Sequence, residues 1–145
     1  MDWKREAIDE LRNYQNRKAA IVNIADQIKD LATEITAIRS ASADGRPVAG
    51  GSNGRDDALV NNIVKRERLT ESMRLTENRV RRIDRVMGQL SDRDRCVLQR
   101  FYIAPQVGGV ESLCEELHIE KTTAYRWKDC ALRNFTITMY GITET

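Results

Sequence analysis

The sequence predicts an all-α protein, in which a long antiparallel helical hairpin is followed by a C-terminal helix-turn-helix domain. Three observations predict this fold. Only two prolines interrupt the 145 residues, and apolar residues recur every three or four positions over long stretches. Charged residues make up 32% of the chain against 6% for aromatic residues. This balance leaves little core material for a single globule and suits long, solvated helices.

The first stretch, from about Asp2 to Ser40, contains neither glycine nor proline. Its apolar residues alternate spacings of three and four, which is the heptad pattern of a helix that packs along one seam. The seam consists of Ile21, Ile24, Ile28, Leu31, Ile35 and Ile38. We therefore expect one long helix over this stretch.

Residues 41–55 are the predicted connector, because Gly, Ser, Asn and Asp dominate them and the apolar period is lost. Within the connector, residues 45–52 come close to a phosphate-binding loop, but Gly51 stands where that loop has its lysine, so we expect no nucleotide site. A second helix is predicted from about Asp56 to Gln89, with heptad positions at Leu69, Met73, Val80, Ile83, Met87 and Leu90. Two such helices fold back most simply as an antiparallel hairpin, here residues 1–89.

A two-helix hairpin buries only a narrow seam, so apolar residues outside the seam need another partner. Those residues are Val60, Ile63, Val64 and Val86. We expect the partner to be a second copy of the chain, which makes the hairpin the oligomerisation element of a homodimer, or else a docking surface for another protein. The pattern leaves open whether the two helices pair within one chain or between chains.

Residues 90–145 carry the pattern of a helix-turn-helix domain. Ser91 can cap a first helix, and from Val110 the pattern is a short helix, a tight turn at residues 118–120 and a longer helix from Lys121. The turn departs from the usual motif, since His118 stands where Gly is common and Glu120 where a Ser or Thr cap is common. Inward positions are predicted at Leu113, Leu117, Ala124 and Trp127.

This C-terminal segment resembles the region-4 domain of bacterial sigma factors. The residues that carry the resemblance are LSDRDRCVLQRFYI from Leu90 and GVESLCEELHIEKTTAYRWKDCALRNF from Gly109. The layout of a helical N-terminal half before such a domain is similar to phage-encoded transcriptional regulators of the ArpU and RinA type. The resemblance implies a regulator of late phage operons for packaging and lysis, acting in the cytoplasm of a bacterial or phage-infected cell.

The outward side of the second helix of the motif carries residue types that reach base edges and phosphates in a major groove. The predicted DNA-binding residues on it are Lys121, Thr122, Thr123, Tyr125, Arg126 and Lys128. Arg93 and Arg95 on the preceding helix are expected to hold phosphates. A basic stripe at the end of the second long helix is expected to do the same, at Arg79, Arg81, Arg82 and Arg85.

Other classes of function are less well supported by the sequence. His118 is the only histidine, and Cys96, Cys114 and Cys130 lack metal-ligand spacing, so we expect reduced thiols and neither an enzyme, a metal nor a cofactor. No apolar run is long enough to span a membrane. Two alternatives to a transcriptional regulator stay open. One is a phage small terminase subunit, which assembles into a ring and recognises packaging DNA, and the other is a module that docks on bacterial RNA polymerase. The C-terminal position of the motif favours the regulator.

Overall fold

The computed structural model describes residues 1–43 and 51–142, and the regular structure in these ranges is entirely helical. The predicted all-α class is therefore confirmed. The α-helices are α1 (Trp3–Arg12), α2 (Tyr14–Ala43), α3 (Gly51–Gln89), α4 (Asp92–Leu98), α5 (Gly109–Leu117) and α6 (Lys121–Tyr140), with a π-helical turn over Gln99–Ile103. None of the helices within residues 1–43 and 51–142 has the length and hydrophobicity of a membrane-spanning segment.

The chain divides into two compact units. Unit 1 comprises Met1–Lys18 and Asn78–Thr145, and unit 2 comprises Ala19–Glu77. The predicted boundary at residue 90 therefore differs from the structure, because α1 and the end of α3 belong with the C-terminal helices. The reason is hydrophobic burial: Ala7 and Leu11 of α1 are fully buried and belong to the same core cluster as Leu132 and Phe135 of α6.

Helix α1 ends within the stretch for which one continuous helix was predicted. Asp2 caps its start by accepting a hydrogen bond from the amide of Arg5 at 3.0 Å. At its end, the backbone amide and the side-chain amide of Asn13 both donate to the carbonyl of Asp9, at 3.1 and 2.8 Å. The prediction of a single helix from residue 2 to 40 is thus wrong at Asn13, where α1 stops before α2 begins.

The last turns of α3 complete the core of unit 1. Val80, Ile83, Val86 and Met87 are all buried there. Val86 was expected to be left over for another partner, and its burial corrects that prediction. The phenol of Tyr14 donates a hydrogen bond to the Asp84 carboxylate, which ties the start of α2 to α3 inside this unit.

Unit 2 is built from the remaining parts of α2 and α3. The predicted Ile and Leu seam of α2 is half-buried to buried along its whole length, with Leu31 and Ile35 the most buried. Opposite them lies Asn62 of α3, which is 4% exposed and donates to the carbonyl of Leu31 at 2.9 Å. No local pattern in the sequence indicates a polar residue in this core, so Asn62 was not predicted there.

The structure differs from the predicted connector, residues 41–55, at both of its ends. Helix α2 extends to Ala43 and α3 begins at Gly51, so both ends of the predicted loop are helical. Residues 44–50, which hold most of the rejected phosphate-loop pattern, lie outside the described residues.

Candidate nucleic-acid interface

The turn between α5 and α6 spans His118, Ile119 and Glu120, as the sequence predicts. His118 adopts the left-handed conformation with φ 54° and ψ 48°, and the amide of Ile119 donates back to the carbonyl of Cys114 at 3.0 Å. A left-handed residue followed by a backbone hydrogen bond that spans five positions is the Schellman motif, which commonly ends a helix. Glu120 starts α6 in an extended conformation with no side-chain hydrogen bond, so α6 lacks the usual side-chain cap.

A buried side chain and an ion pair hold α5 in place ahead of the turn. Leu113 is fully buried, whereas Leu117, which was expected beside it in the core, is exposed because α5 ends there. Arg100 of the π-helical turn binds both carboxylate oxygens of Glu116, at 2.7 and 2.8 Å, and this pairing raises the pKa of Arg100. α5 is thereby connected to the preceding segment by a bidentate charge pair.

Lys121 bridges the two helices of the turn. Its ammonium lies 3.2 Å from a carboxylate oxygen of Glu111 at the start of α5. The Glu111 backbone amide and then Lys121 lower the pKa of this carboxyl. Both side chains are more than half exposed, so the pair is weak in water and Lys121 can exchange Glu111 for another anion.

The outward side of α6 presents polar and basic side chains in its first half. Thr122, Tyr125 and Arg126 are exposed, while Thr123 is half-buried. Arg126 forms no ion pair with any residue that the structure describes. Its guanidinium therefore offers a full set of hydrogen-bond donors to a ligand.

Aromatic rings position two of the predicted basic residues. The Arg93 guanidinium lies over the indole of Trp127, 4.7 Å from the ring centroid. The Lys128 ammonium lies 5.2 Å from the Tyr125 ring centroid, and Tyr125 in turn meets Phe101 edge-on at 5.5 Å. Such contacts hold a cation in one place while leaving its donors available. Trp127 itself is half-buried and packs against the core of unit 1, as predicted.

Arg95 has a different role from the predicted one. Its guanidinium donates to the carbonyls of Met87 and Leu90, at 3.2 and 2.9 Å, and it also pairs with Asp92. Met87 lies in the last turn of α3 and Leu90 directly follows the helix, so Arg95 stabilises a helix terminus. With its donors engaged in this way, Arg95 is not part of the candidate interface.

One arginine of the α3 stripe, Arg82, lies near the far end of α6. All four side chains of the stripe are exposed, but Arg82 is close enough to Tyr140 to act against the burial that raises the pKa of that tyrosine. Tyr140 is the last residue of α6, about 28 Å along the helix from Lys121. The structure therefore does not bring Arg82 together with the first half of α6.

Two basic residues that were not predicted as site residues lie near the candidate interface. Arg133 is exposed and follows Arg126 by seven residues, so both project from the same side of α6. A shallow groove between α1 and α6 is lined by Lys4, Asp129, Arg133 and Thr136. The seven-residue spacing could have indicated Arg133, whereas Lys4 becomes visible only when α1 is packed on α6. We call Thr122, Arg126 and Arg133 the α6 face.

Residues 37–136, more than half of the chain, match the family described as "Protein of unknown function (DUF1492)", and the chain belongs to that family. The comparison with curated proteins gave no match. No solved structure matches either.

Proposed function

We propose that this protein is a sequence-specific, double-stranded DNA-binding regulator of transcription. The observation that carries the proposal is the α5–turn–α6 arrangement, in which His118 closes the turn and the α6 face beyond it is exposed and basic. Two helices across a short turn, the second presenting polar side chains from its first half, form the arrangement that inserts a helix into a major groove.

Arg126 is the proposed base-reading residue. It is exposed, forms no ion pair with the described residues and lies in the first half of α6. A free guanidinium can bind the O6 and N7 acceptors of guanine with two hydrogen bonds. Thr122, one turn before it, and the adjacent Tyr125 belong to the same stretch of helix and would contact neighbouring bases or phosphates.

Phosphate contacts are assigned to cations that aromatic rings hold in position. Arg93 lies on Trp127, and Lys128 lies on Tyr125 with its ammonium also 3.7 Å from the Asp129 carboxylate, so Lys128 would exchange that partner for a phosphate. Arg133 extends the basic surface along α6. Lys121 would exchange its exposed pairing with Glu111 for a phosphate. Contacts of this type set register and affinity but carry little sequence information.

The biological setting follows from the resemblance to sigma region 4 and to phage regulators of the ArpU and RinA type. In that setting the protein acts in the cytoplasm of a bacterial host and controls promoters of late genes for packaging and lysis. RNA polymerase is a further candidate partner in the same role. The terminase alternative predicts rings of eight or more chains, which a mass measurement in solution distinguishes from smaller assemblies.

Selection of duplexes from a random DNA pool by the full-length protein tests the proposal. The selected duplex is then titrated with the wild type, Arg126→Ala and the control Arg55→Ala, which removes an exposed arginine of unit 2. We expect Arg126→Ala to lose about 1–3 kcal/mol of binding free energy and to relax the preference at one base pair, since a bidentate base contact is lost. Arg55→Ala should bind like the wild type. Selection of no common sequence, or equal losses in both variants, would overturn the proposal.

A further inference from the structure

Helix α3 carries apolar residues on the side away from the core of unit 2. Val60, Val64 and Leu75 are 57%, 39% and 52% exposed. Their spacings of four and eleven residues place them along one side of the helix. The opposite side of α3 holds Asn62, Leu69 and Met73, which are buried or half-buried. We call Val60, Val64 and Leu75, with Glu67, Arg68 and Glu71 between them, the α3 outer face.

The order of residues on the α3 outer face is self-complementary at its centre and at its two ends. Glu67 and Arg68 occupy its centre, and Val60 and Leu75 lie at equal distances in sequence on either side of that centre. A surface can pair with itself about a two-fold axis only if each residue meets a complementary one on the other copy. An antiparallel pair of α3 helices meets this requirement for Val60 with Leu75 and for Glu67 with Arg68. Val64 of each copy faces Glu71 of the other, whose carboxylate is bound by Arg74 of its own helix.

We propose that a second copy of this chain covers the α3 outer face, with the two α3 helices antiparallel about a two-fold axis between Glu67 and Arg68. The axis places Glu67 of each copy opposite Arg68 of the other, and Val60 of each copy opposite Leu75 of the other. A parallel pair in register would instead place Glu67 against Glu67 and Arg68 against Arg68. Like charges directly opposite are unfavourable, so the charge order selects the antiparallel pair.

The apolar part of this surface is small, which sets the strength of the dimer. Three exposed apolar residues per chain at the ends of the face, with charges between them, resemble a narrow helix–helix contact rather than an obligate interface. The dimer is therefore expected to dissociate on dilution. It does not depend on DNA binding, and so it can be tested separately from the proposed function.

The first test measures the mass of the full-length protein by sedimentation over a range of micromolar concentrations. The wild type should shift from monomer to dimer as concentration rises, and Val60→Asp and Leu75→Asp should remain monomeric. Val22→Asp is the matched control, because Val22 is 62% exposed on α2 and lies outside the α3 outer face. Each replaced side chain is exposed, and circular dichroism melting checks that the variants stay folded. A wild type that is monomeric throughout, or Asp variants that dimerise like the control, would overturn the proposal.

The second test exchanges the central charges. Glu67→Arg and Arg68→Glu each create two pairs of like charges across the axis and should weaken dimerisation roughly tenfold. The double variant Glu67→Arg/Arg68→Glu restores opposite charges at both places and should dimerise like the wild type. If the double variant is as weak as the single ones, this antiparallel register is wrong.

Discussion

The side-chain amide of Asn134 in α6 donates a hydrogen bond to Oδ2 of Asp94 in α4, at 2.9 Å. Asp94 is only 4% exposed, and its other carboxylate oxygen accepts no hydrogen bond from the described residues. The Ser91 hydroxyl, which caps α4 as the sequence predicts, accepts a hydrogen bond from the amide of Asp94. A buried carboxylate on the first turn of α4 thus depends on one donor from the helix that carries the candidate interface.

Replacing Asn134 with Ala should destabilise unit 1. The substitution leaves the buried Asp94 carboxylate without a protein donor, which costs about 1–3 kcal/mol of unfolding free energy. Chemical denaturation of the full chain measures the loss. Asn16→Ala, which removes an exposed asparagine in the same unit, serves as the control and should change little. Equal stability of the two variants would show that the Asn134 hydrogen bond contributes nothing.

Shortening Leu11 should show that α1 is an integral part of unit 1. Leu11 is fully buried in the core cluster that includes Phe135, so Leu11→Ala should lose about 2–5 kcal/mol. Trp3 and Trp127, the two tryptophans of the chain, both lie in unit 1, so their fluorescence reports its unfolding. Val22→Ala, at an exposed site of unit 2, should leave this transition within about 0.5 kcal/mol of the wild type. A similarly small effect of Leu11→Ala would contradict the packing of α1.

The left-handed turn residue offers a stabilising substitution. A non-glycine residue at φ 54° carries backbone strain of about 1–2 kcal/mol, of which part is offset because glycine gains entropy in the unfolded chain. His118→Gly should therefore raise the free energy of unfolding by roughly 0.5–1 kcal/mol. His118→Val, with a branched side chain at the same φ, should lower it. Thermal melting of the three proteins checks the order, and a glycine variant less stable than the wild type would be contrary to expectation.

Alkaline conditions should weaken unit 1 through Tyr14. Burial, followed by the hydrogen bond to Asp84, raises the pKa of Tyr14 from 10.0 to about 12. Because the folded protein holds this proton more tightly than the unfolded chain, the stabilisation is complete below pH 10 and is lost as the pH rises towards about 12. Tyr14→Phe removes this contribution, so its unfolding free energy should fall less steeply over the same interval. If the unfolding free energies of the wild type and Tyr14→Phe fall in parallel between pH 10 and about pH 12, the raised pKa of Tyr14 is refuted.

The features that could be predicted from the sequence are those set by neighbouring residues. The three-and-four spacing of apolar residues identified the buried seam of α2, and Ser91 before two acidic residues identified the start of α4. The left-handed conformation of His118 was predictable from the position of the turn. Each of these depends on residues only a few positions apart, so a local pattern contains the information.

The features that could not be predicted depend on residues far apart in the chain. Nothing near Leu11 indicates that it shares a core with Phe135, and nothing near Asn62 indicates a hydrogen bond to the carbonyl of Leu31. Arg95 was assigned to phosphates because a basic residue type does not reveal whether a helix end lies within its reach. The positions of the turn and of α6 were therefore predicted correctly, whereas the contacts of Arg95 were not.

The pairing of α1 with α6 has a consequence for how the protein folds. The Trp3 and Tyr140 rings lie 4.9 Å apart, so the two ends of the described chain are joined in one core while unit 2 is inserted between them. Contacts between such distant residues slow folding, because a long loop must close before they form. On the ribosome, α1 emerges long before α6, and its apolar side has no native partner during that interval. Unit 2, whose residues are contiguous, can complete its own folding first.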